Sequence, residues 1–149
     1  MIIFPKIFRS LTLKIPPNNK CPCGSLKKYK KCCKVFHEGS SAKTAEELMR
    51  SRFTAYILND AEYIIRTTHS DNQDYTLNYE IWKKDIINFC EYTDFIKLEI
   101  FERIEDENES FVKFRATLQQ DNLDASFIEK SRFLKVDNKW FYVDGTFTE

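Results

Sequence analysis

From Thr44 to Cys90 the apolar residues recur every three or four positions, and from Phe95 onward they recur every second position. The first pattern is that of amphipathic helices and the second that of half-buried strands. Thr44-Ala-Glu-Glu47 is a capping box, which predicts a helix from Thr44 to about Leu58. At about 100° per residue, Ala45, Leu48, Met49, Ala55 and Tyr56 share one face of it, with Arg52 in their midst. Asn59-Asp60 ends this helix and caps a second over about Ala61–Thr68; a third covers about Leu77–Cys90, with Tyr79, Trp82, Ile86, Phe89 and Cys90 on one face. Ile96, Leu98, Ile100 and Ile104 then alternate with polar residues, as do Val112, Phe114, Ala116 and Leu118. Strands from about Ala125 to Val136 and from Lys139 to Asp144 follow, with turns at Glu105–Glu109, Asp121-Asn122 and Asp137-Asn138. Helices first and an antiparallel meander afterwards predict an α+β fold, about three helices packed on one face of a curved sheet.

Composition removes several function classes. The 149 residues include only three glycines, Gly24, Gly39 and Gly145, too far apart for a phosphate-cradling loop. Two histidines, His37 and His69, exclude a histidine-rich metal site. His69-Ser70-Asp71 contains the residue types of a hydrolytic triad, but consecutive loop residues do not adopt triad geometry, so His69 reads as a hydrogen-bonded loop residue. No apolar run approaches the ~20 residues of a membrane span.

The formal net charge is zero, yet it is unevenly distributed. Residues 1–43 carry ten Lys or Arg and one acid, a net +9, so residues 44–149 carry −9. Such asymmetry marks an interaction segment joined to a separate body. Residues 1–19 read as a basic, loosely ordered extension or extra strand, ended by Pro16-Pro17-Asn18-Asn19.

The basic segment also holds four of the five cysteines, as Cys21-Pro-Cys23 and, after eight intervening residues, Cys32-Cys33. The cluster is too compact for a disulfide framework. Two short pairs separated by a loop suit a tetrahedral thiolate site, with structural Zn²⁺ the leading reading and an iron–sulfur cluster its rival. Lys20, Lys27, Lys28, Lys30 and Lys31 offset the negative charge of four thiolates and favour deprotonated sulfur. His37 stands four residues after Cys33 and could replace one cysteine as ligand. Four protein ligands leave no open position for substrate, which argues against metal catalysis. The expected product is a metal-held knuckle presenting Lys27, Lys28, Lys30 and Lys31 around Tyr29.

In the body, Arg52 on an apolar stripe needs a partner. Phe127, Glu129, Ser131 and Phe133 share one strand face, and Asp144 lies beside Gly145. Arg52 is expected to pair with Glu129 or Asp144, and Arg52, Glu129, Ser131 and Asp144 form a candidate pocket between helices and sheet. Cys90 reads as an inert core thiol.

Cys-Pro-Cys-Gly-Ser, followed by Tyr29 and Cys32-Cys33, resembles the SEC-C zinc motif, which is also found at the tail of the preprotein translocase motor ATPase. His37-Glu-Gly39, Thr44-Ala-Glu-Glu-Leu-Met-Arg-Ser-Arg52, Glu129-Lys-Ser-Arg-Phe133 and Trp140-Phe-Tyr-Val-Asp-Gly145 are similar to the YchJ-like family, so the resemblance spans roughly residues 21–145. It implies zinc on Cys21, Cys23, Cys32 and Cys33 and a nuclear-transport-factor-like cone for the body. Two departures stand out: Cys33 where the motif usually has His, and Leu26 where it usually has Gly. The expected organisation is an extension over 1–19 outside the resemblance, a knuckle over 20–40 and the cone over 41–149. The expected function is that of a cytoplasmic, non-enzymatic adaptor whose knuckle docks on an acidic protein or ribosomal RNA; the translocase tail supports this by analogy. The alternative is binding or conversion of a small molecule in the cone pocket. A purely intramolecular role, the +9 segment folding over the −9 body, is the third reading.

Overall fold

The structure, a computed structural model, describes residues 14–148. The expectation of an extension over residues 1–19 therefore lies largely outside the described residues. The chain runs through a 3-10 turn (Tyr29–Lys31) and helices α1 (Cys33–His37), α2 (Ala45–Ile57), α3 (Ala61–Arg66) and α4 (Tyr79–Tyr92). Strands β1 (Thr93–Glu105), β2 (Glu109–Gln120), β3 (Leu123–Asp124), β4 (Phe127–Val136) and β5 (Lys139–Thr148) follow. Helices precede an antiparallel sheet of order β1-β2-β4-β5, with β3 paired to β2.

Helix starts follow local chemistry. Thr44 Oγ1 accepts the Glu47 amide at 3.1 Å, Asp60 Oδ1 the Tyr63 amide at 3.1 Å, and Asn78 Oδ1 the Ile81 amide at 3.3 Å. α2 ends where Asn59 turns left-handed at φ 57°. Asp121-Asn122 and Asp137-Asn138 all have positive φ, so both turns twist as antiparallel hairpins require.

Three differences from the expected elements have physical causes. α1 is short and its strongest signals are Cys33 and the N-cap Cys32, so the pattern of apolar residues hides it. β5 runs past Asp144 to Thr148, although its last residues are exposed. Ile96 is 54% exposed rather than inward, because the ladder is irregular between Phe95 and Lys97 and the alternation slips there.

The main core lies between α2 and the inner sheet face, where Leu48, Met49 and Phe53 meet Leu98, Val112, Phe114 and Phe133. A second cluster joins Ala55, Tyr63 and Ile64 to Trp82, Ile86 and Cys90. A third is built on Cys21, Cys23, Tyr29 and Cys33, with Leu58 of α2's C-cap against it. α2 therefore buries more than the one stripe its periodicity shows. Ser51 and Thr54 are fully buried because α3 and the cysteine loop pack on the sides the sheet does not cover.

Candidate metal centre and cavity

The Cys21–Cys33 loop closes on itself through short backbone bonds. Cys21 N–H donates to Lys27 O at 2.8 Å and Cys32 N–H to Tyr29 O at 3.0 Å. Gly24 takes φ 83°, and a Cβ there would press on Leu98 O at 3.2 Å; only glycine gives both the left-handed turn and the close approach to β1. Leu26, where the motif resemblance expects glycine, also stands at φ 71°. On the far side, Arg50 Nη1 donates to Cys23 O at 2.6 Å and fastens the loop to α2.

The result brings the Sγ atoms of Cys21, Cys23, Cys32 and Cys33 within 4.8 Å of one another, and all are free thiols. Zn–S bonds of about 2.3 Å would set tetrahedral sulfurs about 3.8 Å apart, which this spacing meets. Cys23 and Cys32 stand at 3.6 Å. The electrostatics point the same way. Cys23 accepts hydrogen bonds from the Cys21 and Cys33 thiols, which pulls it well below the usual thiol range. Cys32, bonded by Cys33 and Ser25, is pulled down to about 6. Cys21, as donor to Cys23, is pushed up to about 11, and Cys33, donor to its neighbours and buried, is pushed up as well. The loop thus stabilises some thiolates only by forcing their neighbours to keep protons. A bound cation removes that conflict and lets all four ionise.

His37 is not among these donors. It accepts the Tyr29 hydroxyl on Nδ1 at 2.8 Å and gives Nε2–H to Ser51 O at 2.8 Å, so both ring nitrogens are committed. Burial holds its pKa below the usual histidine value. The expected display of Tyr29 among the lysines is corrected: the ring is 7% exposed and turns inward to His37. Lys27, Lys28, Lys30 and Lys31 are exposed, and among the described residues no carboxylate pairs with them. Lys27 and Lys31 do line a groove together with Glu46 and Glu47 of α2, so the described part of the basic segment adjoins the acidic body without an ion pair from these lysines.

In the body, Arg52, Glu129 and Ser131 do line one cavity, of about 150 Å³, between α2 and the sheet. The expected Arg52 ion pair is corrected. Arg52 Nη1 donates to Ile64 O, Thr67 Oγ1 and Thr68 Oγ1 at 2.7–3.1 Å, using the carbonyls and hydroxyls at the end of α3. Its guanidinium lies 4.8 Å over the Tyr142 ring. Glu129 Oε2 instead accepts the Ser131 and Tyr142 hydroxyls, and burial, then the Glu129 charge, push the Tyr142 phenol up. Asp144 is exposed and bonded by Arg132 at 2.9 and 3.0 Å, outside this cavity. The strand alternation could have shown this, since Asp144 and Arg132 face each other across β4 and β5. Gly145 has its own necessity, because a Cβ there would collide with the Glu129 carboxylate. Tyr142 is the residue the sequence reading missed. His69 is a loop residue whose Nδ1 accepts the Asp71 amide at 2.9 Å.

Fold and site together define a class, a four-cysteine loop seated on a helix-covered curved antiparallel sheet. Comparison with known proteins narrows it. Residues 18–34 match the SEC-C motif and residues 44–145 match the family described as YchJ, middle NTF2-like domain. The chain belongs to this YchJ family. A UPF0225 protein of Vibrio parahaemolyticus is 37% identical over 134 residues, covering 88% of this chain and 77% of its own. A UPF0225 protein of Photorhabdus laumondii is 39% identical over 130 residues, 84% of this chain and 79% of its own. The solution structure of a SEC-C motif containing protein from Rhodopseudomonas palustris superposes with TM-score 0.76 at 29% identity, covering 88% of this chain and all of that one. A crystal structure of a SEC-C motif containing protein from Psychrobacter arcticus gives 0.73 at 28%, covering 89% and 85%.

Proposed function

We propose that the chain is a cytoplasmic zinc-binding adaptor whose basic loop docks on an acidic surface of a protein or of the ribosome. The observation that carries it is the exposed set Lys27, Lys28, Lys30 and Lys31, free of carboxylate partners among the described residues, on a loop closed around four thiols. Cys21, Cys23, Cys32 and Cys33 would hold the ion, which supplies a cross-link in place of a hydrophobic core the loop is too short to build. A reducing compartment keeps these thiols available. Arg50, through Cys23 O, and Gly24, against Leu98 O, fix the loop on the body so that the lysines face outward as a rigid group. Lysines act on phosphate or carboxylate as point charges, so association should weaken with salt.

Cosedimentation with purified ribosomes and retention on immobilised polyglutamate, each over a salt series, test this. The intact chain should bind at low salt and be released as salt rises. The variant with Lys27, Lys28, Lys30 and Lys31 replaced by Ala should lose most of that binding while keeping its metal. Equal binding by the variant, or none by the intact chain on either surface, rejects the docking role. Elemental analysis of the purified protein separates zinc from iron.

A further inference from the structure

The cavity of about 150 Å³ does not end at Arg52 and Glu129. Tyr56, Phe89, Phe127, Glu129 and Tyr142 are walls shared with an outer groove of about 780 Å³, so the two adjoin at these side chains, with the groove as a vestibule outside the chamber. The two compartments differ in charge. Inside, Arg52 and Glu129 are of opposite sign, each at least nine-tenths buried and each in contact with Tyr142; the remaining walls are chiefly aromatic and aliphatic. Neither a net anion nor a net cation is favoured there. Cavities of about 150 Å³ take a single benzene-sized ring.

The vestibule is acidic. Asp71, Asp74, Asp85, Glu129 and Asp144 line it, and among the described residues no lysine or arginine does. Arg132 answers Asp144 from outside the groove and His69 stands 3.8 Å from Asp71; among the described residues Asp74 and Asp85 have no cationic partner. Trp82, Phe89, Phe127 and Phe147 bring aromatic surface beside these carboxylates. Carboxylates and aromatic walls together are the surroundings that recognise an organic cation. At the junction, Glu129 Oε2 is occupied by Ser131 and Tyr142, and Oε1 has no partner among the described residues.

We infer that this compound cavity binds an aryl-alkyl amine, its ring in the inner chamber and its ammonium in the acidic vestibule toward Asp74 and Asp85. The inference rests on residues distinct from the basic loop and stands apart from the docking role. A ligand of this kind satisfies both compartments at once. An aromatic acid would put its charge among five carboxylates, and a ring without a charge would leave the vestibule unused.

The test is titration of the full-length, metal-loaded protein with 2-phenylethylamine, 2-phenylethanol and phenylacetate, followed by amide chemical shifts and by tryptophan fluorescence. The amine should bind tightest and the acid weakest, with shifts at Tyr56, Phe89 and Tyr142. The double variant Asp74→Asn/Asp85→Asn, both exposed positions, should weaken the amine about tenfold and leave the alcohol unchanged. Ala116→Leu, which fills the chamber, should abolish binding of amine and alcohol alike; if that variant fails to fold, the double variant decides. Phenylacetate binding as tightly as the amine, wild-type amine binding by the double variant, or no binding of the amine at millimolar concentration would overturn the inference.

Discussion

Leu26 shows how a single residue departs from its surroundings. It stands at φ 71°, in a conformation that costs a side-chain-bearing L-residue about 1–2 kcal/mol, and its side chain is 76% exposed, so packing offsets little of that cost. Replacing it with glycine removes the clash but adds freedom to the unfolded chain. The balance favours glycine, and Leu26→Gly should raise stability by up to about 1 kcal/mol, read from the urea midpoint of the metal-loaded protein. The residue scale is also where the sequence was most and least informative. The four cysteines announced their own cluster because their spacing carries the chemistry. Arg52 announced that it needed a partner but not which one. Its bonds run to hydroxyls and a carbonyl at the end of α3, groups that charge counting cannot see, and Asp144 took Arg132 instead because the two are cross-strand neighbours.

Among the elements, α2 organises the molecule. One side meets the sheet, a second meets α3, and a third carries the cysteine loop through Cys21 beside Thr54 and Arg50 on Cys23 O. Its start depends on Thr44, whose hydroxyl accepts the Glu47 amide. Thr44→Ala should destabilise the fold by about 1 kcal/mol, and calorimetry against the parent measures it. The capping box, the hairpin turns and the order of helices before strands were legible because each rests on contacts between near neighbours in sequence. The burial of Ser51 and Thr54 was not, since it depends on which segments come to lie on a helix from far away. α1 escaped notice for a related reason: five residues cannot display a helical period, and its end is held by Arg66 donating to Phe36 O and His37 O across the chain.

At the scale of the whole molecule, the knuckle lysines form no ion pair with the acidic body among the described residues. The knuckle lysines point outward and the acidic groove lies on the body between α4 and the sheet ends. The cysteine loop is nonetheless continuous with the body's packing, through Leu58, Thr54 and the approach of Gly24 to β1. Stripping the metal with a chelator should therefore lower the melting temperature of the entire protein in one transition, followed by circular dichroism of the sheet. Two separate transitions, with the sheet melting at its original temperature, would show the loop to be energetically detached.

The closeness of the four cysteines in sequence has a consequence for the order of events during synthesis. All four cysteines leave the ribosome within thirteen residues of chain, before Leu98 exists to receive Gly24. The cysteine loop is thus a unit of very low contact order, able to close on an ion while the sheet is still unmade. With an ion bound there, the nascent chain would carry a finished lysine-bearing loop before the acidic body is completed around it.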